Sequence, residues 1–541
     1  MTHPMIPRRR FLGSALAGGL VVATKGLSAQ PGVSPKNANY SGSEPFELDE
    51  LTVADLQAAM TRGTFTSRSL VEKYSARIRE MDTRGPTLRA VIEMNPDALA
   101  IADAMDAERR AGKVRGPMHG IPVLIKDNIA TADKMETTAG SLMLVGARVP
   151  RDAFIVTKLR AAGAVILGKT NLSEWANFRS TRSSSGWTGR FGQTRNPYAL
   201  DRSPSGSSSG SGSAAAANFC SVTIGTETDG SITAPAAAAS LVGLKPTVGL
   251  VSRSGIIPIS ASQDSAGPMT RTVLDAAVLL NAIVGSDSRD PATRESNAHA
   301  IDFTRGITDG IRGMRIGIPR EKLFGYHVKA DELTEAAIAV LRGLGAEIVD
   351  PANIPAAGKV DDDEYEVLLY EFKDGLRKYL ADVDSPIKSL ADMIAYNKAH
   401  AKEEMPYFGQ EIFLKAEAKG SLKSAAYLKA LARSQRMARQ GIDATMKKHH
   451  LDAFIAPTMA PPPLIDLVSG DPGFPGGATT LPAVSGYPHI TVPAGYTFGI
   501  PLGVSFFAGK WSEAKLLRIA YAFEQATHHR KPPRFLPTAE A

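Results

Sequence analysis

The sequence predicts an α/β fold in which helices cover one central β-sheet, and three observations carry that prediction. First, two apolar runs of strand length, Ile121-Pro122-Val123-Leu124-Ile125 and Ala164-Val165-Ile166-Leu167, flank a segment of helical pattern from about Ala153 to Ala161. Strand, helix, strand without polar alternation is the mark of buried parallel strands joined by crossover helices. Second, such runs recur at Val222-Thr223-Ile224, Met314-Arg315-Ile316-Gly317-Ile318 and Ala453-Phe454-Ile455-Ala456, and their sum argues for an α/β sandwich around one sheet. Third, residues 361–446 are almost wholly helical in pattern with no long Gly/Pro linker at either side. They read as helices laid over the sheet, not as a separate domain.

In chain order, the first element is an address. Pro7-Arg8-Arg9-Arg10-Phe11-Leu12-Gly13 leads into an apolar, Gly/Ala-rich stretch ending near Ala23, the charged-then-apolar order of a signal peptide. The stretch is too short to remain as a membrane anchor. The arginine pair ahead of Phe11-Leu12 is similar to the twin-arginine export motif, which implies passage of the folded chain through the twin-arginine machinery to the periplasm or beyond. Residues 1–29 are read as this leader, with cleavage after Ala29; an uncleaved basic N-terminus on a cytosolic protein is the alternative. Residues 30–45, rich in Ser, Pro, Asn and Gly, are a flexible lead-in, and 46–541 form one folded domain.

Two helices open that domain. Thr52 caps the first, with Asp55 near its positive end and Leu51 placed to staple onto Leu56. The second starts near Thr66 and lines up Leu70, Tyr74, Ile78 and Met81 on one face.

A chain of 541 residues with 43% hydrophobic content can bury a large core. Its formal charge of +7 falls near +3 once Arg8, Arg9, Arg10 and Lys25 leave with the leader. With no basic cluster interleaved with aromatics, nothing points to nucleic acid. Cys220 is the only cysteine, so no internal disulfide forms and no multi-cysteine metal site exists. The pairs His449–His450 and His528–His529 lack the i, i+4 spacing of two helical ligands. No metal and no cofactor are expected, and nothing in the sequence fixes the oligomeric state.

The run Ser203-Pro204-Ser205-Gly206-Ser207-Ser208-Ser209-Gly210-Ser211-Gly212-Ser213 has the composition of a flexible linker. It continues directly into Ala214-Ala215-Ala216-Ala217-Asn218, however, as a tight entry into a buried helix. A phosphate-cradling loop would need a Gly-Lys-Ser/Thr ending that is absent here, and Gly168-Lys169-Thr170 lacks the upstream glycine. Gly and Ser at a helix start instead supply close backbone approach, outward N–H donors and small hydroxyls able to pass a proton. A second small-residue segment, Gly225-Thr226-Glu227-Thr228-Asp229-Gly230-Ser231-Ile232, follows a strand and ends in another serine. Successive N–H groups in such a turn stabilise a carbonyl oxygen that becomes negative.

A serine hydroxyl needs a base. His119 has no context that marks it as one. Lys126 ends the apolar strand Val123-Leu124-Ile125-Lys126, where burial would lower its pKa and free the neutral amine. The adjacent Asp127 opposes that effect.

Assembled, these segments resemble the amidase signature family from about Leu51 to Phe535. The family's Gly-Gly-Ser-Ser-Gly-Gly-Ser stretch is matched by Ser205 to Ser211, its Gly-Thr-Asp-x-Gly-Gly-Ser stretch by Gly225 to Ser231, and its lysine strand by Gly120 to Asn128. Thr138-Ala139-Gly140-Ser141, Gly168-Lys169-Thr170-Asn171, Gly243-Leu244-Lys245-Pro246-Thr247 and Asp264-Ser265-Ala266-Gly267-Pro268-Met269 add supporting matches. The resemblance implies a single α/β/α domain with a large central mixed β-sheet. It implies a Ser-Ser-Lys triad in which Ser231 attacks, Ser207 on a cis peptide bond relays the proton and Lys126 accepts it, with the N–H groups of Thr228, Asp229, Gly230 and Ser231 as oxyanion hole. Two departures stand out: Asp229 replaces a glycine, and Thr233 replaces an arginine that could meet a substrate carboxylate in some members.

Lys169 to Phe178, Leu368 to Lys373 and Gly225 to Ile232 are most similar to bacterial peptide amidases, which implies deamidation of C-terminal peptide amides to acid and ammonia. Hydrolysis of aryl, fatty or other small amides, esters or carbamates, and membership of the tRNA-dependent amidotransferase complex, are the alternatives. Trp175 and the loop around Phe474, within the Gly/Pro-rich segment from Pro457 to Gly477, are expected substrate contacts.

Overall fold

Eleven strands pair into one sheet in the computed structural model, which describes residues 46–472 and 476–540. The predicted leader and lead-in, residues 1–45, and Phe474 lie outside the described residues. The strands are β1 (Val91–Met94), β2 (Pro122–Lys126), β3 (Val165–Thr170), β4 (Val222–Glu227), β5 (Val242–Lys245), β6 (Ser265–Thr270), β7 (Arg315–Gly317), β8 (Glu347–Val349), β9 (Ala453–Pro457), β10 (His489–Thr497) and β11 (Ile500–Phe507). Their spatial order is β1-β3-β2-β4-β6-β5-β10-β11-β9-β7-β8.

The sheet is mixed in blocks. β3, β2 and β4 run parallel, as do β9, β7 and β8, and the apolar runs read from the sequence supply five of these six strands. Between the blocks, from β4 through β9, every pairing is antiparallel. Every residue of β2, β3 and β4 is buried, because helices cover both faces of a parallel block.

Local chemistry explains the flanking helices. Thr52 accepts from the Asp55 N–H while the Asp55 carboxylate accepts from the Thr52 N–H, a closed capping box ahead of the helix Val53–Thr61. Such a cap contributes about 1 kcal/mol. Thr66 caps Ser67–Met81, which buries Leu70, Tyr74, Ile78 and Met81. The predicted crossover helix spans Phe154–Ala161.

The stretch 361–446 contains the helices Asp361–Asp382, Leu390–Ala399, Ala401–Glu404, Glu411–Glu417 and a long one that begins at Ala425 and ends at His449. Phe372, Leu376 and Phe413 from this layer join Leu172, Trp175 and Phe178 in a second apolar cluster. Polar pins reinforce the contact. Glu371 accepts from the Ser260 hydroxyl at 2.6 Å, the Ser262 N–H at 2.9 Å and the Tyr427 hydroxyl at 2.7 Å. The fully buried Arg179 donates to Glu174 at 2.5 Å and lies 4.3 Å from the Phe408 ring centre, the close geometry that a buried charge requires. The layer thus closes over the loops at one edge of β2 and β4.

Candidate active site

β2 and β4 are parallel neighbours, with Ile125 opposite Ile224, so their carboxyl ends reach the same edge of the sheet. β2 delivers Lys126 there, and β4 runs on through Glu227 into the turn Thr228–Ser231. The third component is the start of the helix Ser209–Ala216, all of whose residues are buried. Its glycines follow from close approach: a Cβ on Gly210 would lie 2.4 Å from the carbonyl oxygens of Ala90 and Asn171. The Ser/Gly run is therefore a packed helix entry, as read from its flanks.

These elements bring Lys126 and Ser207 into contact. The Lys126 Nζ lies 2.7 Å from Ser207 Oγ, 2.9 Å from Thr226 Oγ1 and 3.2 Å from the Thr226 carbonyl. Both side chains are fully buried, and the Gly206–Ser207 peptide is cis. Burial pulls the Lys126 pKa down to about 7, against the opposing charges of Asp264 and Glu227. Asp127 is not the counterweight its position suggested. Neighbours on a strand point to opposite faces, and Asp127 accepts from the Thr138 hydroxyl and the Gly140 N–H while facing Lys169 and Arg190.

Ser231 sits directly beside this pair, since the Ser208 N–H donates to the Ser231 carbonyl at 3.1 Å. The turn before it is held from outside. Thr228 Oγ1 donates to Asp264 at 2.6 Å, and Glu227 accepts from the N–H groups of Ile232 and Thr233 at 2.7 and 2.9 Å. Gly230 has φ +73°, which explains why glycine stands there. Asp229 does not need that conformation, and its carboxylate turns aside to accept from Thr480 Oγ1 at 2.8 Å. Among the described residues, the N–H groups of Thr228, Asp229, Gly230 and Ser231 donate to no protein acceptor. They edge a cavity of about 350 Å³.

Phe178, Ile259, Leu368 and Met459 give that cavity an apolar wall, and Ser205, Thr458, Thr479 and Thr480 a polar one. Asp229 is the single ionisable side chain among its described lining residues. One expectation is corrected here. Trp175 is 2% exposed and packs edge-on against Phe413, so it belongs to the core, while the next three residues, Ala176 to Phe178, line the cavity. Thr233 is fully buried with its hydroxyl on Glu227, so it does not face substrate, and the missing arginine is not replaced by another cation among the lining residues. Phe474 is not described, but Gly476 and Gly477 from the same loop line the cavity.

Sequence reasoning missed Thr226, Asp264 and Glu364. Thr226 was legible, since it lies on the quoted strand one residue before Glu227. Asp264 opens a segment that supported the resemblance but was given no role there, and Glu364 comes from a distant segment with no local signal.

The family model described as Amidase matches residues 69–517. The chain belongs to the amidase family. This amidase is 52% identical to the native peptide amidase of Stenotrophomonas maltophilia, with a TM-score of 0.87 over 91% of this chain and 100% of that one. It is 43% identical to a probable amidase of Arabidopsis thaliana, covering 91% of this chain and 93% of the relative. It is also 37% identical to one of the subunits of the glutamyl-tRNA(Gln) amidotransferase of Chloroflexus aurantiacus, over 91% of this chain and 99% of that protein. The amidase is thus a hydrolase acting on the C–N bonds of amides, close in structure to a peptide amidase.

Proposed function

We propose that this amidase is exported and hydrolyses the terminal carboxamide of peptides to acid and ammonia, through an acyl-enzyme on Ser231. The observation that carries the reading is the 2.7 Å Lys126–Ser207 contact beside a cavity edged by four N–H groups that donate to no acceptor among the described residues. Neutral Lys126 donates two N–H bonds to the carbonyl and hydroxyl of Thr226 and takes the Ser207 proton on its lone pair. As Ser231 Oγ attacks the amide carbon, its proton passes to Ser207 and that of Ser207 to Lys126. The four N–H groups receive the developing oxyanion. The proton then returns by the same path to the amide nitrogen, ammonia leaves, and water repeats the cycle on the ester.

Similarity to the Stenotrophomonas maltophilia enzyme supports a peptide amide substrate. A further structure of a peptide amidase, also 52% identical, is a complex with the competitive inhibitor chymostatin. The cavity is consistent with that choice: with no cation on its described wall and Asp229 upon it, a free carboxylate beside the oxyanion would be repelled. The arginine pair Arg8-Arg9, one residue ahead of Phe11-Leu12, supports export. Incubation of an amidated peptide, its free-acid twin and an aryl amide, followed by mass spectrometry, tests the substrate. Conversion of the amidated peptide to the acid with internal bonds intact is expected; turnover of the aryl amide alone would assign the site to small amides.

Thr226 yields a second expected result. Thr226→Val removes the hydroxyl that holds Lys126, at nearly constant volume. A hydrogen bond to a charged or charging group amounts to about 1.5–3 kcal/mol, so kcat should fall roughly 10- to 100-fold with KM little changed. An unchanged kcat would show that the lysine is positioned without it.

A further inference from the structure

Asp229 and Glu364 form an acidic contact that the triad does not use. Asp229 lies in the oxyanion turn. Glu364 lies in the first turn of the helix Asp361–Asp382, with its carboxyl group beside that of Asp229. Glu364 is buried and accepts from Gln263 Nε2 at 2.7 Å, while the same Gln263 nitrogen approaches the Thr228 carbonyl at 3.4 Å. Asp229 Oδ2 takes the Thr480 hydroxyl, and its Oδ1 is buried with no donor from elsewhere in the described protein. Two carboxyl groups meet here, and carboxylates are acceptors only. The contact is attractive only when one of them carries a proton.

We propose that Asp229 and Glu364 share one proton, and that this proton positions the oxyanion turn against the helical layer and sets the upper pH bound of the reaction. The proposal rests on the reading of Ser231 and its turn as the reacting centre. Leu368, one helical turn beyond Glu364, lines the substrate cavity. The shared proton therefore ties the acyl wall of the cavity to the N–H groups that receive the oxyanion.

The charges around the pair make its behaviour one-sided. Glu227 from β4 and Asp361 from the same helix turn face it with negative charge, and Lys245 from β5 faces it with positive charge. Thr479, Thr480 and Gln263 are its neutral partners. Burial holds both carboxyls up, Asp229 to about 6 and Glu364 well above the ordinary glutamate value, each raised further by the other acids. Both groups have raised pKa values, so the contact is intact at low pH and is lost as pH rises through the later ionisation. The carboxylates then repel, the helix start moves off the turn, and the oxyanion donors lose their alignment. Loss of the Lys245 proton acts in the same direction.

Glu364 and Asp229 are positioning residues under this proposal, and the pH profile separates that role from simple support of the fold. Wild-type kcat for an amidated dipeptide should rise with Lys126 and then fall at higher pH. In Glu364→Gln the amide donates to Asp229 whatever the pH, and in Asp229→Asn the amide donates to Glu364, so both variants should keep the rise and lose the fall. Glu364→Ala leaves Asp229 without its partner and should lower kcat about tenfold with a smaller change in KM, a loss that Glu364→Gln largely recovers. A wild-type profile with no fall, or a fall at the same pH in both conservative variants, would overturn the proposal; the latter would assign the fall to Lys245. If the reading of the reacting centre fails instead, Ser231→Ala retains turnover, whereas failure of the pair alone leaves Ser231→Ala inactive.

Discussion

Ser231→Ala is expected to lower kcat by about 10⁵- to 10⁶-fold, the scale on which loss of a serine nucleophile removes covalent catalysis. The residual rate comes from the oxyanion donors, since the Ser231 N–H survives the substitution. The fold should survive as well. Only a hydroxyl is lost, the Ser208 N–H still meets the residue 231 carbonyl, and Glu227 still holds the next two N–H groups. The check combines three measurements: labelling by a serine-directed fluorophosphonate, the pre-steady-state burst on an ester substrate, and the thermal midpoint. Loss of labelling and burst with an unchanged midpoint is the expected outcome. A retained burst would move the nucleophile to another serine.

Which serine matters was not legible from composition, because five hydroxyls crowd the run from Ser205 to Ser211. The structure separates them by partner. Ser208 Oγ donates to the Thr226 carbonyl, Ser209 Oγ to the Ser205 carbonyl and Ser211 Oγ to the Ile224 carbonyl, all knitting the helix entry to its neighbours. Ser207 is the one whose hydroxyl meets Lys126. The motif resemblance singled it out as Lys126's neighbour, whereas spacing alone left all five open.

The sheet was legible where burial acts on both faces of a short apolar run, as in β2, β3, β4, β7 and β9. The antiparallel middle was not. β6 reads Ser265-Ala266-Gly267-Pro268-Met269-Thr270, with no β-branched run to announce it. β10 and β11 are the longest strands, yet Pro493 and Gly495 interrupt the pattern of β10 and its register shifts there. Their hairpin turns on Phe498 and Gly499, both at positive φ. That geometry is usually announced by Asn-Gly or Asp-Gly, and here a phenylalanine takes the first place. Trp175 failed as a substrate contact for a related reason: a large aromatic next to a site is as readily a wedge in the core beneath it. The helical layer was legible as helices, but its polar reach into the site through Glu364 depends on tertiary placement that no local pattern encodes.

Lys126→Met should lower kcat by about 10⁴-fold or more, and the Lys126→Met, Ser207→Ala double variant little further, because a relay fails as a unit. Losses that multiply would show two independent roles. The pH dependence identifies the working form. Burial lowers the folded-state pKa of Lys126 to about 7 from an ordinary value of 10.5, and the neutral amine is the base. Wild-type kcat/KM should accordingly rise with pH through about 7, and this rising side should vanish in the methionine variant. Stability is linked to the same ionisation. Between about 7 and 10.5 the unfolded chain holds a proton on Lys126 that the folded chain does not, so the contribution of this group to stability increases with pH across that window and is lowest below it. Removing the lysine removes the penalty for burying it uncompensated. The Lys126→Met variant should therefore melt no lower than wild type at pH 6, and its advantage should shrink as the pH is raised. A variant that is both inactive and markedly less stable at pH 6 would show that Lys126 is held as a structural ammonium by Ser207 and Thr226, with its proton retained, and the base would have to be sought elsewhere.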